Sequence, residues 1–427
     1  MAGASDAQAT RGSGRRARIG AWIEARLPVN KFYQSQLLDY YAPKNFNIWY
    51  FFGSLALVAL VLQLASGIFL AMFYKPDGVI DAEGLSGAYR SVEYIMREVD
   101  GGWLIRYLHS TGGSLFFIVV YLHMFRGFLY GSYKKPRELL WIVGVMVYLA
   151  LMAEAFFGYV LPWGNMSYWG AQVIVNLFGV IPWIGPDLID WIRGDYSIAD
   201  ATLNRFFALH VVAVPLILLA LVFVHLWALR TVGSNNPDGI EIKEKKGADG
   251  KPLDGIPFHP YYTVKDVVGV GVFGLVFASI VFFMPTLGGL FLEGANFEPA
   301  NQLSTPEHIA PVWYFTPYYA ILRAVPDKLA GAGLMGAAVL LIAFLPWLDR
   351  SPVKSIRYRP KFWGFALMAF AVSFCGLGYL GMQPAEGTYV LMARILGGVY
   401  FAFFLLMPLY TRNEKTKPVP QRVTFHA

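Results

Sequence analysis

The apolar residues of this 427-residue chain are gathered into eight long runs that polar segments separate. Six of the runs contain no charged residue, and each of the other two contains only one, Glu154 or Arg394. About 20 apolar residues in a helix cross a hydrocarbon core of ~30 Å, so the pattern predicts an all-α membrane protein with eight transmembrane helices. In chain order these predicted spans, named A to H, cover residues 46–74, 107–125, 140–162, 206–229, 267–292, 329–348, 362–385 and 387–411.

Composition agrees with a membrane protein, since 56% of the residues are hydrophobic, 15% are charged and the mean hydropathy is +0.47. The net charge of +7 does not indicate a nucleic-acid partner, because Lys and Arg concentrate in the B–C loop, the F–G loop and the C-terminal tail. Segment 75–100, between A and B, carries six acids and three bases instead. Since basic residues accumulate on the cytoplasmic side of a membrane, both termini are expected to be cytoplasmic. Residues 1–20 are polar and Arg-rich, without the apolar centre of a signal peptide.

Four of the seven histidines lie within two predicted spans. His109 and His123 are fourteen residues apart on span B, which at ~100° and ~1.5 Å per residue puts them on one face, ~21 Å apart. His210 and His225 are fifteen residues apart on span D, with Pro215 between them, where it can bend the helix. Both spans run from outside to inside, so His109 and His210 share an outer level and the other two an inner level. Two imidazoles at each of two levels are typical of two bis-His haems.

Glycines recur at the same fourteen-residue period on the neighbouring spans. They are Gly53 and Gly67 on span A, and Gly144 and Gly158 on span C. A missing Cβ lets a planar macrocycle approach a helix closely, and Arg106 and Arg126, beside the span B histidines, suit haem propionates. Glycine is also common in membrane helices for packing alone. The alternative is a haem-free, proton-coupled transporter in which the histidines relay protons or bond neighbouring helices.

Eight short strings occur in the chain in a fixed order. They are Arg106–His109, Tyr121–Gly127, Gly158–Gly164, Trp169–Ala171, Leu203–Phe207, Gly233–Pro237, Ser304–Pro306 and Tyr319–Arg323. On these strings, residues 27–412 resemble cytochrome b of the bacterial ubiquinol–cytochrome c oxidoreductases, complex III. The chloroplast-type cytochrome b ranks second. Unlike this single chain, it is split into two chains, and it carries a thioether-bound haem. Cys375, the only cysteine, lies in span G and cannot serve that haem, a disulfide or an iron–sulfur cluster.

The resemblance implies a quinol–cytochrome c reductase subunit in a bacterial inner membrane, with two non-covalent haems b and quinone as substrate. Its implied partners are a Rieske iron–sulfur protein, cytochrome c1, lipids and a second copy of the complex. Quinol would be oxidised near the outer face, one electron passing to the Rieske protein and the other across both haems to a quinone near the inner face. This Q cycle would release protons outside and take them up inside.

The outer quinol site that the resemblance implies is an aromatic slot. It corresponds to Phe156, Tyr159, Gly170, Pro311, Val312, Trp313, Tyr314, Phe315 and Tyr319. The family's usual motif has Glu where this chain has Val312, and valine cannot take a quinol proton. Glu154, the only acid in the first four spans, is the first substitute; Glu307 is the second, followed by a water or a haem propionate. Without the resemblance, interfacial aromatic packing would explain these side chains equally well.

The inner quinone site that the resemblance implies lies near the ends of spans A, D and E. Its residues are Ser54, Arg230, Ser234, Asn235, Lys265 and Asp266. Arg230 replaces the family's quinone-binding histidine, as in the chloroplast type, and it stays protonated, so it can donate hydrogen bonds but cannot relay a proton. Lys265 and Asp266 suit proton uptake, with a solvated loop pair as the alternative. His259 and His308 are expected to be structural or interfacial, and His426 has no expected role.

The remaining segments complete the predicted organisation. Residues 1–45 form a cytoplasmic segment with a surface helix over 21–41, 46–232 the di-haem bundle, 233–265 a charged, mobile, cytoplasmic D–E loop, 266–411 spans E to H and 412–427 a cytoplasmic tail. Two short helices are expected within 168–186. The apolar segment 308–322 of the E–F loop is too short to span, and partner subunits are expected to cover these apolar outer elements.

Overall fold

A computed structural model of the chain describes residues 14–34 and 38–425. The chain divides into two compact units, one of residues 1–44 and 241–268 and one of residues 45–240 and 269–427. The predicted surface segment and tail lie partly outside the described residues, as does His426.

The smaller unit contains a two-stranded antiparallel sheet. Strand β1, Tyr41–Pro43, pairs with strand β2, Gly255–Pro257, and the Tyr262 hydroxyl donates to the main-chain oxygen of Pro43 at 2.6 Å. Before the sheet, the predicted surface helix is two helices, Arg15–Glu24 and Val29–Tyr33, with Pro28 at the start of the second. Proline is tolerated at a helix start but not in its interior, which explains the division.

Helices A to D form the first half of the larger unit. Helix A is Phe51–Ala71, helix B Gly102–Tyr130 and helix C Glu138–Val160. Helix D consists of Asp200–Ala208, a π-helical turn Leu209–Ala213, and Val214–Val232. Helix A packs mainly on helix B, and helix D mainly on helix C. This pairing brings the two histidine-bearing helices, B and D, each beside a glycine-bearing one.

The later helices agree with the prediction in number but differ in length. Helix E is Tyr261–Phe283, helix F Lys328–Ala343 continued by Leu345–Leu348, helix G Lys361–Gly381, and helix H Gly387–Leu405 continued by Met407–Arg412. Among the described residues seven helices are long and apolar enough to cross a membrane, and helix F is the shorter apolar one. Its 16 residues rise only about 24 Å, so an eighth span stays a prediction.

Helix E ends nine residues before its apolar run does. Pro285 follows the helix end, and Leu287, Gly288 and Gly289 have φ values of 45°, 64° and 89°. Three successive left-handed residues make a sharp turn that only glycine adopts freely. Residues 284–292, which the apolar pattern assigned to a span, therefore form a turn instead.

The connecting segments fold as short helices, but the second helix after helix C lies almost wholly beyond the predicted range 168–186, and the one in the E–F segment was not predicted. Two helices, Asn165–Phe178 and Gly185–Arg193, follow helix C, and a nine-residue helix, Thr316–Ala324, lies in the E–F segment. The largest buried cluster joins this last helix to helices B, C, F, G and H. At its centre, Phe117 stacks on Tyr314 with ring centroids 3.9 Å apart. The E–F segment is thereby fixed against helix B.

The beginning of the D–E loop is packed and hydrogen-bonded, unlike the mobile loop that its composition predicted. Asp238 is only 1% exposed. Its carboxylate accepts from Arg357 at 3.0 Å, Tyr358 at 2.7 Å, the main-chain N–H of Thr424 at 2.7 Å and Asn45 at 3.0 Å. A buried carboxylate needs such partners, and together they tie the tail to the F–G and D–E loops.

Candidate functional site

The four histidines of helices B and D meet in two pairs, named after their predicted levels. In the outer pair, the ring centroids of His109 and His210 are 6.0 Å apart with an interplanar angle of 86°. In the inner pair, those of His123 and His225 are 6.4 Å apart at 65°. A bond from a metal to an imidazole nitrogen is about 2 Å long, so two imidazoles on opposite sides of one metal have centroids about 6 Å apart. Both pairs therefore have the spacing of trans ligands to one iron.

The π-helical turn in helix D explains how a fifteen-residue spacing still aligns both of its histidines. The turn, Leu209–Ala213, includes His210 and ends two residues before Pro215. A π-turn accommodates one extra residue without advancing the helical phase. His210 and His225 are thus rotated relative to each other as if fourteen residues separated them, which matches the spacing on helix B.

Each of the four periodic glycines faces one histidine ring. A Cβ added at Gly53 would lie 3.2 Å from Cε1 of His123, and one at Gly67 would lie 3.1 Å from Cε1 of His109. On helix C, Gly144 faces His225 at 3.1 Å, and Gly158 faces His210 even more closely. The glycines, expected to border a macrocycle, lie directly against the imidazoles. Because these glycines have no side chain, each imidazole ring can lie close to the backbone of the neighbouring helix.

The outer histidines have hydrogen-bond partners at Nδ1. His109 Nδ1 lies 3.0 Å from Ser66 Oγ, and His210 Nδ1 lies 2.9 Å from the main-chain oxygen of Glu154 and 3.0 Å from its Oε1. An imidazole that donates from Nδ1 presents Nε2 as its metal-binding atom. In the inner pair, Nδ1 of His123 and of His225 is buried without a hydrogen-bond partner among the described residues.

The two predicted propionate partners lie where the histidine pairs are. Arg106 lines the cavity of the outer pair. Arg126 has its guanidinium 5.0 Å from the ring centroid of Tyr50, and its Nε is buried without a hydrogen-bond partner among the described residues. A buried cation without an acidic partner is costly. Both arginines, the histidine spacing and the facing glycines fit a haem at each level.

A cavity of about 250 Å³ lies at the outer pair, and His109, His210 and Arg106 are among the residues that line it. It brings together three of the predicted quinol-site residues, Tyr159, Val312 and Tyr314, with Phe291 and Leu292. Most of its lining is apolar, as a quinone ring requires. The turn after helix E therefore contributes to the site, although its residues were assigned to a span.

The other predicted quinol-site residues support the cavity or lie apart from it. Trp313 donates from Nε1 to Ser114 Oγ at 3.1 Å, and the Tyr319 hydroxyl donates to the main-chain oxygen of Ile309 at 3.0 Å. Phe315 packs on Tyr314 with centroids 4.8 Å apart. These three hold the E–F segment in place. The remaining three, Phe156, Gly170 and Pro311, are not among the lining residues.

The acids near the cavity differ in position. Glu154 lines it, with Oε1 at His210 and Oε2 buried without a hydrogen-bond partner in the described part of the chain. Glu307 is exposed and does not line it. A third acid, Glu293, was not predicted; its Oε2 accepts from the Tyr159 hydroxyl at 3.3 Å. The sequence signal for it is its place as the first charged residue after the apolar run 267–292.

The predicted inner-site residues have mixed positions. Ser54 donates to the main-chain oxygen of Phe51 in its own helix at 2.9 Å. Asn235 is buried and donates to the main-chain oxygen of Tyr130 at 2.6 Å, so its amide anchors the loop. Lys265, near the start of helix E, lies with Nζ 4.5 Å from the Tyr261 ring centroid. Arg230 lies in the last turn of helix D, Ser234 follows that helix, and Asp266 follows Lys265 in helix E. The inner site remains a prediction.

The two loop histidines have hydrogen bonds of a structural kind. Nδ1 of His259 lies 3.3 Å from Oγ1 of Thr263, and Nε2 of His308 lies 3.0 Å from the main-chain oxygen of Met382. Neither lies in the histidine pairs, as the sequence led us to expect.

Family models of known proteins match most of the chain. The model described as Cytochrome b/b6/petB matches residues 37–233, and the model described as Cytochrome b(C-terminal)/b6/petD matches residues 299–401. The first match contains both histidine pairs, and the second contains most of the E–F segment.

Curated relatives and a solved structure are similar over nearly the whole chain. Cytochrome b of Allochromatium vinosum is 60% identical over 95% of this chain and 98% of its own length. Cytochrome b of Rhodobacter capsulatus is 44% identical over 95% and 94%, and Cytochrome b/c1 of Bradyrhizobium diazoefficiens 46% identical over 94% and 56%. A chain of a hyperthermophilic respiratory complex III superposes with a TM-score of 0.82 at 41% identity, covering 92% of this chain and 98% of that one.

Proposed function

The chain belongs to the cytochrome b family, the haem-binding subunit of bacterial quinol–cytochrome c reductase, complex III, and we propose that it holds two b haems at its two histidine pairs. The observation that carries this proposal is that the ring centroids of both pairs are separated by 6.0 Å and 6.4 Å, which leaves room for one metal between the two imidazoles. His109 and His210 would hold the outer haem, and His123 and His225 the inner one. When bound, the haems accept and pass on single electrons between the two sides of the membrane.

The protein's own residues orient the ligands. Ser66 and Glu154 fix Nδ1 of the outer histidines, and the glycines of helices A and C keep space for all four rings. Arg106 and Arg126 pair with the propionates, which would compensate two buried cations.

Quinol is oxidised in the part of this outer cavity nearest the E–F segment, and the part between His109 and His210 would be left for the haem. Tyr159, Val312 and Tyr314 line it, and the packing of Trp313 and Phe315 holds the E–F segment rigidly around it. One electron passes to a Rieske iron–sulfur partner and on to cytochrome c1, and the other to the inner quinone site through the chain. Of the two acids selected from the sequence, Glu154 stays the candidate acceptor for one of the two quinol protons, because Glu307 does not line the cavity.

Quinone is reduced on the inner side, with Ser54, Arg230 and Ser234 of the larger unit as its candidate contacts, and Arg230 donates hydrogen bonds only. In the smaller unit, Lys265 and Asp266 are candidate proton donors. Asn235 acts as a structural anchor of that region. Both chain termini face the cytoplasm of a bacterium, and the complex is a homodimer in the lipid bilayer.

The test is a reduced-minus-oxidised spectrum of the purified complex, with haem counted per cytochrome b chain. We expect two b haems in the wild type, one after either His210→Leu or His225→Leu, and two in the control His308→Leu, whose histidine lies outside the pairs. A haem-free, proton-coupled transporter is the alternative function. The absence of b-type absorption from the wild-type complex would decide for that alternative.

A further inference from the structure

Glu293 lies at the edge of the outer cavity, in the turn that follows helix E. The two residues before it, Phe291 and Leu292, line the cavity, as does Asn296 after it. Its Oε2 accepts a hydrogen bond of 3.3 Å from the hydroxyl of Tyr159, and Tyr159 itself lines the cavity. A continuous hydrogen-bonded path therefore leads from the cavity through the Tyr159 hydroxyl to this carboxyl group.

The carboxyl group of Glu293 is in an unusual environment for an acid in a loop. Its Oε1 is buried without a hydrogen-bond partner among the described residues. The titratable groups that face it are Tyr159 of helix C and Tyr314 of the E–F segment, and no cation within the described ranges compensates its charge. A buried carboxyl without a compensating cation binds a proton more readily than an exposed one.

Burial raises the pKa of Glu293 to about 7, and the hydrogen bond from Tyr159 opposes that rise. A proton acceptor works best when its pKa lies near the working pH, because it is then both ionised and basic enough to take a proton. Glu293 meets that condition, and it lies outside the contacts of the iron ligands. Glu154, in contrast, touches His210, and Val312 carries no ionisable group.

We propose that Glu293 takes up a proton from quinol at the outer cavity through the hydroxyl of Tyr159. The quinol O–H bond breaks and its proton bonds to the Tyr159 oxygen, while the proton already on that oxygen bonds to Oε2 of Glu293. Tyr159 ends the step neutral and Glu293 ends it as a neutral acid. The second quinol proton and both electrons leave by the routes of the proposed function, on which this inference rests.

The experiment measures turnover of the assembled complex with a ubiquinol analogue and cytochrome c between pH 5.5 and 8.5, for the wild type and Glu293→Gln. The wild type should gain activity through about pH 7 as Glu293 ionises. The side-chain amide of the variant cannot accept a proton, so turnover at pH 8 should fall about tenfold or more and the rise with pH should disappear. The reduced-minus-oxidised haem spectrum should be unchanged.

Two further variants test the path. Tyr159→Phe should cause a similar loss, and the double variant should be no slower than the slower single one, because both changes break one path. Glu298→Gln is the matched control, since Glu298 is exposed in the same loop and should leave turnover and its pH profile unchanged. If Glu293→Gln assembles without haem, Glu293→Asp takes its place. Its turnover should still rise with pH, with the midpoint of the rise shifted from that of the wild type.

The proposal is wrong if Glu293→Gln keeps turnover within about twofold of the wild type with the same pH profile. It is equally wrong if the haem-containing Glu293→Asp variant has a flat profile. A wild-type complex whose b haems are not reduced by quinol would overturn the proposed function instead. Activity in the wild type therefore separates failure of this inference from failure of that function.

Discussion

Nδ1 of His210 lies 2.9 Å from the main-chain oxygen of Glu154 and 3.0 Å from its side-chain Oε1. The main-chain oxygen fixes the ring whatever the side chain is, because no substitution removes it. The carboxyl group lies beside the imidazole that we propose as an iron ligand. Ligand position and ligand electrostatics are thus supplied by different atoms of one residue.

Glu154→Gln should therefore keep both haems but change the outer one. Loss of a negative charge beside His210 should raise the midpoint potential of the outer haem, on the order of tens of millivolts. A redox titration followed at the b-type absorption measures this. An unchanged potential would mean that the carboxyl carries no charge there. Near-normal quinol oxidation in the same variant would exclude Glu154 as the proton acceptor.

Gly158→Ala should expel or distort the outer haem, because a Cβ there would overlap the His210 ring. Overpacking of this kind typically costs about 1–3 kcal/mol. The haem count should fall from two towards one, with the inner haem retained. The matched control is Gly274→Ala on helix E, where an added Cβ meets nothing within 4 Å; two haems should remain. Equal spectra for both variants would contradict the role of Gly158.

Deletion of one residue from the π-helical turn should be tolerated, whereas the same deletion in the α-helical part of D should not. Removing Val212, which is 56% exposed, leaves His210 and His225 fourteen residues apart on a continuous helix. Removing Leu219, 43% exposed, turns His225 by ~100° relative to His210. Haem per chain measures both: two for the first deletion and fewer for the second. Loss of haem in both would reject the phase argument.

The tail should be released from the F–G and D–E loops in acid. Burial acts to raise the pKa of Asp238, but hydrogen bonds from Thr424, Tyr358 and Arg357 outweigh it and hold the pKa below its ordinary value. A lowered pKa stabilises the fold above the unfolded value of about 4, and this stabilisation is lost as pH falls through the folded value. Hydrogen exchange of residues 413–425, corrected for the intrinsic pH dependence of amide exchange, should therefore show strong protection at pH 6 and a loss of protection below about pH 4.

The control for this prediction lies in the same loop. Asp238→Asn should expose the tail even at pH 6, because the charge that its partners bind is gone. Asp249→Asn should not, since the Asp249 side chain is 62% exposed. Protection of the tail at pH 3 in the wild type would show that Asp238 does not hold it.

The features that the sequence predicted correctly are local ones. Apolar runs and a fixed period along one helix identify most of the spans, the two histidine pairs and the glycines beside them, because helical geometry relates residues that are near in the chain. Span E was predicted too long because Pro285 and the left-handed turn at Gly288 lie inside an apolar run. The hydrophobicity of a segment does not show where its backbone turns. The π-turn escaped the pattern for a similar reason, since a spacing of fifteen does not reveal how the extra residue is accommodated.

The features that the sequence missed depend on contacts between distant segments. Glu293 meets Tyr159 across 134 positions, and no local pattern places them together. Val312 could be singled out from the sequence because it departs from a family motif, and Glu154 because it is the only acid in the first four spans. Asn235 was assigned to quinone binding, but the structure turns its amide to the main chain of Tyr130. Such roles depend on how segments fold against one another.

The π-helical turn Leu209–Ala213 allows helix D to differ in length by one residue while its two histidines keep the same relative rotation about the helix axis. A gene can gain or lose one codon there and encode a protein whose two imidazoles still meet their partners on helix B. The number of residues between the two histidines therefore does not by itself determine whether their rings face helix B.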